Sequence, residues 1–203
     1  MAKAKTWEVR EALFEKSGTN ANNFPKDELP QIAFAGRSNV GKSSLLNMLV
    51  RKKGLAKTSG TPGRTRLVNF FKINGSHYFV DLPGYGFAKA PAQEQEKWAK
   101  MIDAYLTKND NLLLMVMLLD ARRNPSPLDD QLVEFLGHYD IPTILVLTKC
   151  DKLKYNALQK ARKSIAQHYG LPPDALPLTT SATSTKGRDE LLKTIYGALM
   201  DDE

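Results

Sequence analysis

The sequence is poor in the features that mark secreted and membrane-spanning proteins. Its 203 residues include a single cysteine, Cys150, so no internal disulfide can form, which is typical of a reducing compartment. The longest uninterrupted apolar run covers only residues 112–119, whereas a helix that crosses a bilayer needs about 20 apolar residues. The N-terminal segment lacks the apolar core of a signal peptide. We therefore expect a cytoplasmic protein, with a buried strand at residues 112–119.

Acidic residues are too few to balance the basic ones. Lysine and arginine number 29, aspartate and glutamate 22, and the formal net charge is +7. A field of this sign favours a polyanionic partner, either nucleic acid or an anionic membrane surface. A basic protein with no such partner is the alternative interpretation. The basic residues form short groups, among them Lys152 with Lys154 and Lys160 with Arg162 and Lys163, and not the long tract of a disordered tail.

Apolar runs of strand length alternate with segments of helical periodicity, which is typical of a mostly parallel sheet with helices on both faces. The expected strands are residues 31–35, 67–73, 77–82, 112–119, 141–147 and 176–179. Asn74 and Gly75 join the second strand to the third and predict an antiparallel hairpin at one edge of a six-stranded sheet. We expect a domain over residues 29–203, preceded by an N-terminal arm over residues 1–28.

One of the expected helices has a complete start signal. Ser126 is placed to cap it, and Pro127 suits the first helical position, where a missing N–H costs nothing. Apolar residues at helical spacing follow this signal. Further helices are expected from residue 42, around residues 98–105 and 158–165, and over residues 191–199.

A glycine-rich loop between the first strand and the first helix fits the pattern G-x-x-x-x-G-K-S/T. It consists of Gly36, Arg37, Ser38, Asn39, Val40, Gly41, Lys42 and Ser43. The backbone N–H groups of such a loop and the positive end of the helix dipole cradle the phosphates of a nucleotide, and a side chain at either glycine would obstruct that approach. Lys42 would reach the β- and γ-phosphates, and the Ser43 hydroxyl would ligate Mg²⁺.

A D-x-x-G motif follows the expected strand at residues 77–82. It is formed by Asp81, Leu82, Pro83 and Gly84. A carboxylate at the end of a strand beside a phosphate cradle can hold Mg²⁺ through a water molecule, and the Gly84 N–H can reach the γ-phosphate. The pattern alone would also suit an acidic turn, but its position after the cradle favours the nucleotide interpretation.

A T-K-x-D motif after the strand at residues 141–147 indicates the base. It is formed by Thr148, Lys149, Cys150 and Asp151. Guanine presents an N1–H and an amine side by side, and one carboxylate, Asp151, can accept both, whereas adenine lacks this pair of donors. The motif commonly begins with Asn, and the Thr148 hydroxyl can make only part of the bridge that an amide makes. The Lys149 stem would cover the base, and backbone N–H groups of Thr180, Ser181 and Ala182 would reach guanine O6.

The motifs and their flanking residues resemble the EngB/YihA family of bacterial ribosome-biogenesis GTPases. The segments that carry the resemblance are GRSNVGKSSLLN, SGTPGRTRLVNFF, FVDLPGYGFAK, TKCDKL and TSATSTKG, and it extends over about residues 28–200. It implies a Ras-like P-loop GTPase fold, GTP hydrolysis with Mg²⁺, and a role in assembling the large ribosomal subunit, with that subunit or its rRNA as partner. It also implies a requirement in normal cell division and septation.

The same resemblance places the first switch in the segment SGTPGRT, which is too rich in Gly, Pro and Thr for a helix or strand. The nucleotide-binding residues that it implies there are Gly63, Arg64, Thr65, Arg66 and Leu67. Thr65 would complete the coordination of Mg²⁺, with Thr61 and Thr58 as alternatives. Loss of the γ-phosphate would release this loop together with residues 84–90, and a partner would sense that change.

No catalytic base is evident, because Tyr85 stands where related enzymes often carry the glutamine that orients the attacking water. We therefore expect slow intrinsic hydrolysis, in which Lys42, Thr65 and Asn39 take part. Asn39 would help to bind K⁺ beside the phosphates, and this cation would partly replace an arginine finger. The arginines of the first switch could act instead, although they are better suited to face RNA or solvent.

Two alternative functions are less favoured. A switch that acts on a membrane or protein partner would be expected to carry a lipid anchor, yet the sequence ends in MDDE, and Ala2 stands where myristoylation requires glycine. A P-loop kinase or ATPase would leave the T-K-x-D motif unexplained. We expect a monomeric GTPase without a membrane anchor that acts on the ribosome.

Overall fold

The computed structural model describes residues 7–57, 67–86, 92–107 and 109–200. Within these ranges the α-helices are α1 (Lys42–Leu49), α2 (Ala92–Thr107), α3 (Pro127–His138), α4 (Tyr155–His168) and α5 (Arg188–Met200). The strands are β1 (Ala12–Gly18), β2 (Gln31–Gly36), β3 (Val68–Ile73), β4 (His77–Asp81), β5 (Leu112–Asp120), β6 (Thr143–Thr148) and β7 (Leu178–Thr179). Short 3-10 turns lie at Ala21–Asn23 and Cys150–Lys152.

The strands form one sheet in the order β1-β3-β4-β2-β5-β6-β7. Neighbours from β4 to β7 in that order are parallel, and the pairs β1–β3 and β3–β4 are antiparallel. The mostly parallel α/β fold is therefore confirmed. The expected number of six strands is wrong, because the described residues contain seven, and the β3–β4 hairpin lies one strand in from the edge.

The additional strand, β1, comes from the N-terminal arm that the sequence predicts. Its register against β3 runs from Ala12 opposite Ile73 to Gly18 opposite Val68. Because β1 is an edge strand, much of it faces solvent, and even Phe14 is 54% exposed. The segment therefore shows no regular alternation of apolar and polar residues, which is why periodicity did not reveal it.

Apolar side chains fill both faces of the sheet. On one face α1 and α5 pack through buried residues such as Leu45 and Ile195. On the other face α2, α3 and α4 contribute Tyr105, Leu136 and Ile165, among others. This arrangement confirms helices on both faces and leaves the carboxyl ends of the parallel strands as the edge where a ligand binds in such folds.

Local signals read from the sequence are also confirmed. Ser126 caps α3, since its side chain accepts from the Asp129 N–H while the Asp129 carboxylate accepts from the Ser126 N–H at 2.7 Å. Asn74 and Gly75 have φ angles of 50° and 70°, as a two-residue hairpin turn requires. The apolar run at residues 112–119 lies within β5. No helix in the described part of the chain is long and apolar enough to cross a membrane.

His77, the first residue of β4, is buried in the core. Its ring centroid lies 5.5 Å from that of Phe79 and 5.3 Å from that of Tyr196, and its Nδ1 lies 3.0 Å from the Ser76 hydroxyl. Its Nε2 is buried and has no hydrogen-bond partner among the described residues. Burial lowers the pKa of His77 from 6.5 to about 4, because the charged imidazolium would lose its hydration.

We expect His77 to make the folded state sensitive to acid. Below pH 6.5 the unfolded chain binds a proton at this residue that the folded chain binds only near pH 4, so stability falls as the pH falls between these values. The full difference corresponds to about 3 kcal/mol. Urea unfolding across this range should show a shallower pH dependence for His77→Phe than for the wild type. His138→Phe, at an exposed histidine, is the control, and equal slopes for the wild type and His77→Phe would contradict the assignment.

Candidate nucleotide site

The glycine-rich loop connects the end of β2 to the start of α1. A Cβ at Gly36 would lie 2.9 Å from the carbonyl oxygen of Leu118 on β5 and equally close to the Val40 side chain. Gly36 is thus required by packing within the protein, a different reason from the phosphate approach that the sequence suggests. Gly41, immediately before α1, has a φ of 108°, which favours glycine. Asn39 in the same loop also has a positive φ, 63°.

Lys42 and Asp81, which belong to two different motifs, form an ion pair. Lys42 is the first residue of α1 and Asp81 the last of β4, and the parallel pairing of β2 with β4 brings both to the same edge of the sheet. The two side chains are only 10% and 5% exposed. The groups expected to contact phosphate and Mg²⁺ therefore meet at one largely buried point.

Two oxygen donors suit a divalent cation, the Asp81 carboxylate at this point and the hydroxyl of Ser43, which follows Lys42 in α1. Nowhere among the described residues do three or more His, Cys, Asp or Glu side chains come together as a metal-binding group. Mg²⁺ is usually held by one or two protein ligands together with phosphate oxygens and water. The donors present therefore fit a Mg²⁺ ion that is bound jointly with a nucleotide.

The D-x-x-G segment is held against the glycine-rich loop through its backbone. The Ser38 N–H donates to the Tyr85 carbonyl oxygen at 2.8 Å, and Arg37 and Tyr85 form an isolated parallel bridge. A Cβ at Gly84 would lie 3.3 Å from the Ser38 backbone, closer than ordinary packing allows. A movement of this segment would therefore also displace the glycine-rich loop.

The phenol of Tyr85 is bound to α3. It is buried and donates to the Asp129 carboxylate at 2.6 Å. Burial raises the pKa of Tyr85 far above its ordinary value, and the hydrogen bond to Asp129 raises it further. A phenol that stays protonated and already bonds to α3 is unsuited to orient an attacking water, which supports the expectation that Tyr85 supplies no catalytic base.

The T-K-x-D motif, the glycine-rich loop and the segment after β7 line one cleft. Its lining residues are Gly41, Ser44, Leu45, Thr148, Lys149, Asp151, Lys152, Thr180, Ala182 and Thr183. The Thr148 hydroxyl lies 2.7 Å from the Val40 carbonyl oxygen and 3.2 Å from that of Leu119. Because a hydroxyl has one proton and an amide two, Thr148 can bond to only one of these oxygens at a time, and the shorter distance favours the glycine-rich loop.

Lys149 and Asp151 are each fixed by a hydrogen bond. The Lys149 ammonium donates to the Asn39 carbonyl oxygen at 2.6 Å, so its stem crosses the glycine-rich loop. The Ser181 hydroxyl donates to Asp151 at 2.7 Å and lowers the pKa of that carboxyl. Asp151 is therefore an ionised, oriented acceptor in the cleft, which suits the paired donors of guanine.

Backbone hydrogen bonds tie the segment after β7 to the T-K-x-D motif. The Thr180 N–H donates to the Leu147 carbonyl oxygen at 2.7 Å, and the Cys150 N–H donates to the Thr180 carbonyl oxygen at 3.1 Å. The Ser181 N–H donates to the Lys186 carbonyl oxygen at 3.1 Å. The N–H groups of Thr180 and Ser181 are therefore already bonded within the protein, contrary to the expectation that they reach guanine O6, and Ala182 keeps that role as a prediction. Cys150, Thr180 and Ser181 are all buried. Burial raises the pKa of the Cys150 thiol, so this residue serves packing and is unsuited to thiolate chemistry.

Asp120, the last residue of β5, belongs to this site but is absent from the motifs read in the sequence. It accepts from the Lys149 ammonium at 3.0 Å and from the Arg122 guanidinium at 2.7 and 2.8 Å. Partial burial raises the pKa of Asp120, but the hydrogen bonds from Arg122 and Lys149 outweigh it and hold the pKa well below the usual range. The sequence does contain one signal for Asp120, which is a carboxylate at the end of a predicted strand. Because β5 pairs with β6, this strand end lies beside the T-K-x-D motif, with Asp120 opposite Thr148.

Some predicted site residues lie outside the described part of the chain, and others are buried in the core. Gly63, Arg64, Thr65 and Arg66 lie outside the described residues, as do Thr58 and Thr61. Leu67 is 38% exposed just before β3, and its role at the nucleotide stays a prediction. Leu82 and Pro83 are buried, and Leu82 packs in the core with α2, α3 and α4, so its side chain serves the fold.

A phosphate loop before a helix, a D-x-x-G carboxylate beside its lysine and a T-K-x-D cleft define the class of P-loop GTPases. A family model described as 50S ribosome-binding GTPase matches residues 31–149. Relatives described as GTP-binding protein EngB are 48% and 49% identical over 90% and 97% of this chain, so the chain belongs to the EngB family, as the resemblance of its motifs predicts.

Relatives and a solved structure support this membership over most of the chain. "Probable GTP-binding protein EngB" of Pelobacter propionicus is 49% identical over 196 residues, which are 97% of this chain and 98% of that protein. The protein of the same name from Geobacter metallireducens is 48% identical over 183 residues, 90% of this chain and 89% of that protein. A crystal structure of a "probable GTP-binding protein engB" matches with a TM-score of 0.71 at 28% identity, covering 84% of this chain and 99% of that one.

We expect Asp151 to determine the choice of guanine. Asp151→Ala removes the acceptor of two donors on the base, and it should lower the affinity for GTP by roughly 100-fold while leaving the weaker affinity for ATP unchanged. Calorimetric titration with both nucleotides measures this ratio. Asp174→Ala, which removes an exposed carboxylate outside the cleft, should bind like the wild type. Equal affinity of the wild type for ATP and GTP would show that Asp151 has no such role.

Proposed function

We propose that this protein is a Mg²⁺-dependent GTPase switch that acts in assembly of the large ribosomal subunit. The observation that carries the proposal is the ion pair of Lys42 with Asp81, because Lys42 directly follows Gly41, a residue that lines the same cleft as Asp151. Membership in the EngB family and the description of the matching family model support the ribosomal partner. The proposal includes a cytoplasmic location and a requirement for normal cell division and septation, which the family resemblance implies.

The residues of the site have distinct roles in this proposal. Lys42 turns from Asp81 to the β- and γ-phosphates, and the N–H groups of the glycine-rich loop bind the same phosphates. Ser43 and Asp81 would hold Mg²⁺, which neutralises charge on the phosphates when it is bound. Thr65, outside the described residues, is proposed to complete this set, and Asp151 selects the base.

Hydrolysis by the protein alone is proposed to be slow, because the Tyr85 phenol donates to Asp129 and is therefore unsuited to orient the attacking water. We propose that K⁺ near Asn39 supplies part of the missing charge. Asn39 is exposed, and its strained backbone is fixed by the hydrogen bond from Lys149 to its carbonyl oxygen. An arginine finger is worth roughly 10³–10⁵ in rate, so a cation that replaces part of it should have a measurable effect.

Turnover should therefore be about tenfold faster in K⁺ than in Na⁺, a fraction of the effect of an arginine finger. Asn39→Ala should remove most of this difference. Phosphate release at constant ionic strength, with choline as a third cation, is the measurement. Equal turnover in K⁺ and Na⁺ would rule out a cation at this position and direct attention to the arginines of the first switch.

An exposed basic face on α4 supports RNA as the ribosomal contact. The helix contains no acidic residue, and Lys160 and Lys163 lie three residues apart and exposed on one side of it. Lys152 and Lys154 are exposed just before the helix. Neighbouring charges of one sign repel each other unless an anionic partner compensates them, and RNA phosphates provide such compensation.

The proposed function is tested by co-sedimentation with large ribosomal subunits in the presence of a non-hydrolysable GTP analogue or GDP. We expect binding with the analogue that weakens steeply with salt. The double variant Lys160→Glu/Lys163→Glu should lower the salt dependence by about two in the logarithmic slope, roughly one for each phosphate that is no longer neutralised. GTP affinity should not change.

Lys26→Glu/Lys53→Glu is the matched control, because it changes the net charge equally at exposed lysines outside α4. Equal loss in both double variants would mean that the net charge and not the α4 face matters. Failure of the wild type to bind subunits with either nucleotide would overturn the ribosomal role. Binding to anionic lipid vesicles or a protein instead would favour the alternative switch.

A further inference from the structure

A row of three polar side chains spans the neighbouring strands β1, β3 and β4 and ends at Asp81 of the D-x-x-G motif. Ser17 of β1 lies directly opposite Asn69 of β3, and Asn69 lies directly opposite Asp81 of β4. Directly opposite residues of antiparallel strands project to the same face, with Cβ atoms about 5 Å apart. We call these three residues the polar row. It joins the edge strand to the carboxylate of the D-x-x-G motif.

The hydrogen bonds within the polar row have a direction. The Ser17 hydroxyl donates to Asn69 Oδ1 at 2.6 Å, and Asn69 Nδ2 donates to Asp81 Oδ2 at 3.5 Å. An amide has its acceptor on one side and its donors on the other. By donating to the amide oxygen, Ser17 therefore turns the NH₂ group of Asn69 towards Asp81.

The two oxygens of Asp81 have different partners. Oδ1 accepts from the Lys42 ammonium, and Oδ2 accepts from Asn69. When Lys42 turns to phosphate, Oδ1 becomes the oxygen that is released, whereas the contact of Oδ2 with Asn69 does not depend on Lys42. The half-buried Asn69 is therefore placed to keep the carboxylate oriented in both arrangements.

We propose that Asn69 is a positioning residue for Asp81 and that Ser17 orients Asn69, so that strand β1 takes part in the affinity of the nucleotide site for Mg²⁺. The inference rests on the proposed Mg²⁺-dependent GTPase function and is independent of the ribosomal partner. Groups that orient a metal-binding carboxylate typically contribute about 10- to 100-fold to metal affinity. The 3.5 Å contact places Asn69 at the lower end of that range.

The test measures how Mg²⁺ slows the dissociation of a fluorescent guanine nucleotide from the full chain. Mg²⁺ is titrated from excess EDTA to saturation, and the half-maximal concentration is compared between variants. Asn69→Ala should raise that concentration about tenfold and leave the rate in EDTA unchanged, because only the metal-dependent part is affected. Ser17→Ala should raise it about threefold, and Ser17→Thr, which keeps the hydroxyl, should restore the wild-type value.

Controls separate positioning from a loss of structure. Asn23→Ala removes an exposed asparagine outside the polar row and should match the wild type. Thermal unfolding without nucleotide identifies any variant that has lost its fold. A rate for Asn69→Ala that rises equally in EDTA and in Mg²⁺ would overturn the proposal, as would an unchanged half-maximal concentration. A wild-type dissociation rate that does not change with Mg²⁺ would instead overturn the proposed metal dependence. A wild-type chain that does not bind guanine nucleotide would overturn the GTPase assignment.

Discussion

The site depends on keeping two opposite charges, Lys42 and Asp81, together in a largely buried position where two loops meet. Removing either charge alone would leave the other without compensation in a poorly hydrated place, which is strongly unfavourable. The pair also gives each loop a reason to face the other. A ligand that brings its own anionic groups and a cation can replace both halves of the pair at once. In the proposed function, binding of a metal–phosphate complex would therefore be an exchange of ionic partners within a preformed site.

The sheet determines which residues meet. The parallel pairing of β2 with β5 and of β5 with β6 brings Gly36, Asp120 and Thr148 to one edge, where the loops that bind phosphate and base begin. The antiparallel strands work differently, because their register places residues directly opposite one another and extends the site sideways along the polar row. The parallel strands therefore lead into the loops of the site. The antiparallel strands β1 and β3 carry the residues that can hold the Asp81 side chain in place.

The sequence was sufficient to predict the features that require particular residue types at short spacings. The glycine-rich loop, the hairpin turn at Asn74 and Gly75 and the cap at Ser126 each require particular residues at particular spacings, and each was predicted. Strand β1 was not predicted, since an edge strand that faces solvent needs no apolar alternation. Asp120 and Asn69 were missed for another reason. Asp120 meets Lys149 only because β5 pairs with β6, and Asn69 is oriented by Ser17 of β1, a strand that was not predicted.

Thr148 and Tyr85 depart from the common GTPase pattern, and the two substitutions have different consequences for the site. At the head of the T-K-x-D motif, the Thr148 hydroxyl still bonds to the glycine-rich loop, so the link between the base and phosphate loops is retained with one donor fewer. Tyr85 differs, because its phenol bonds to Asp129 in the first turn of α3 while its carbonyl oxygen accepts from Ser38 in the phosphate loop. A single residue thus joins the phosphate loop to a helix on the far side of the D-x-x-G segment. A side chain used in this way gives up the orientation of water but lets a change at the phosphates reach α3, which suits a switch more than a fast enzyme.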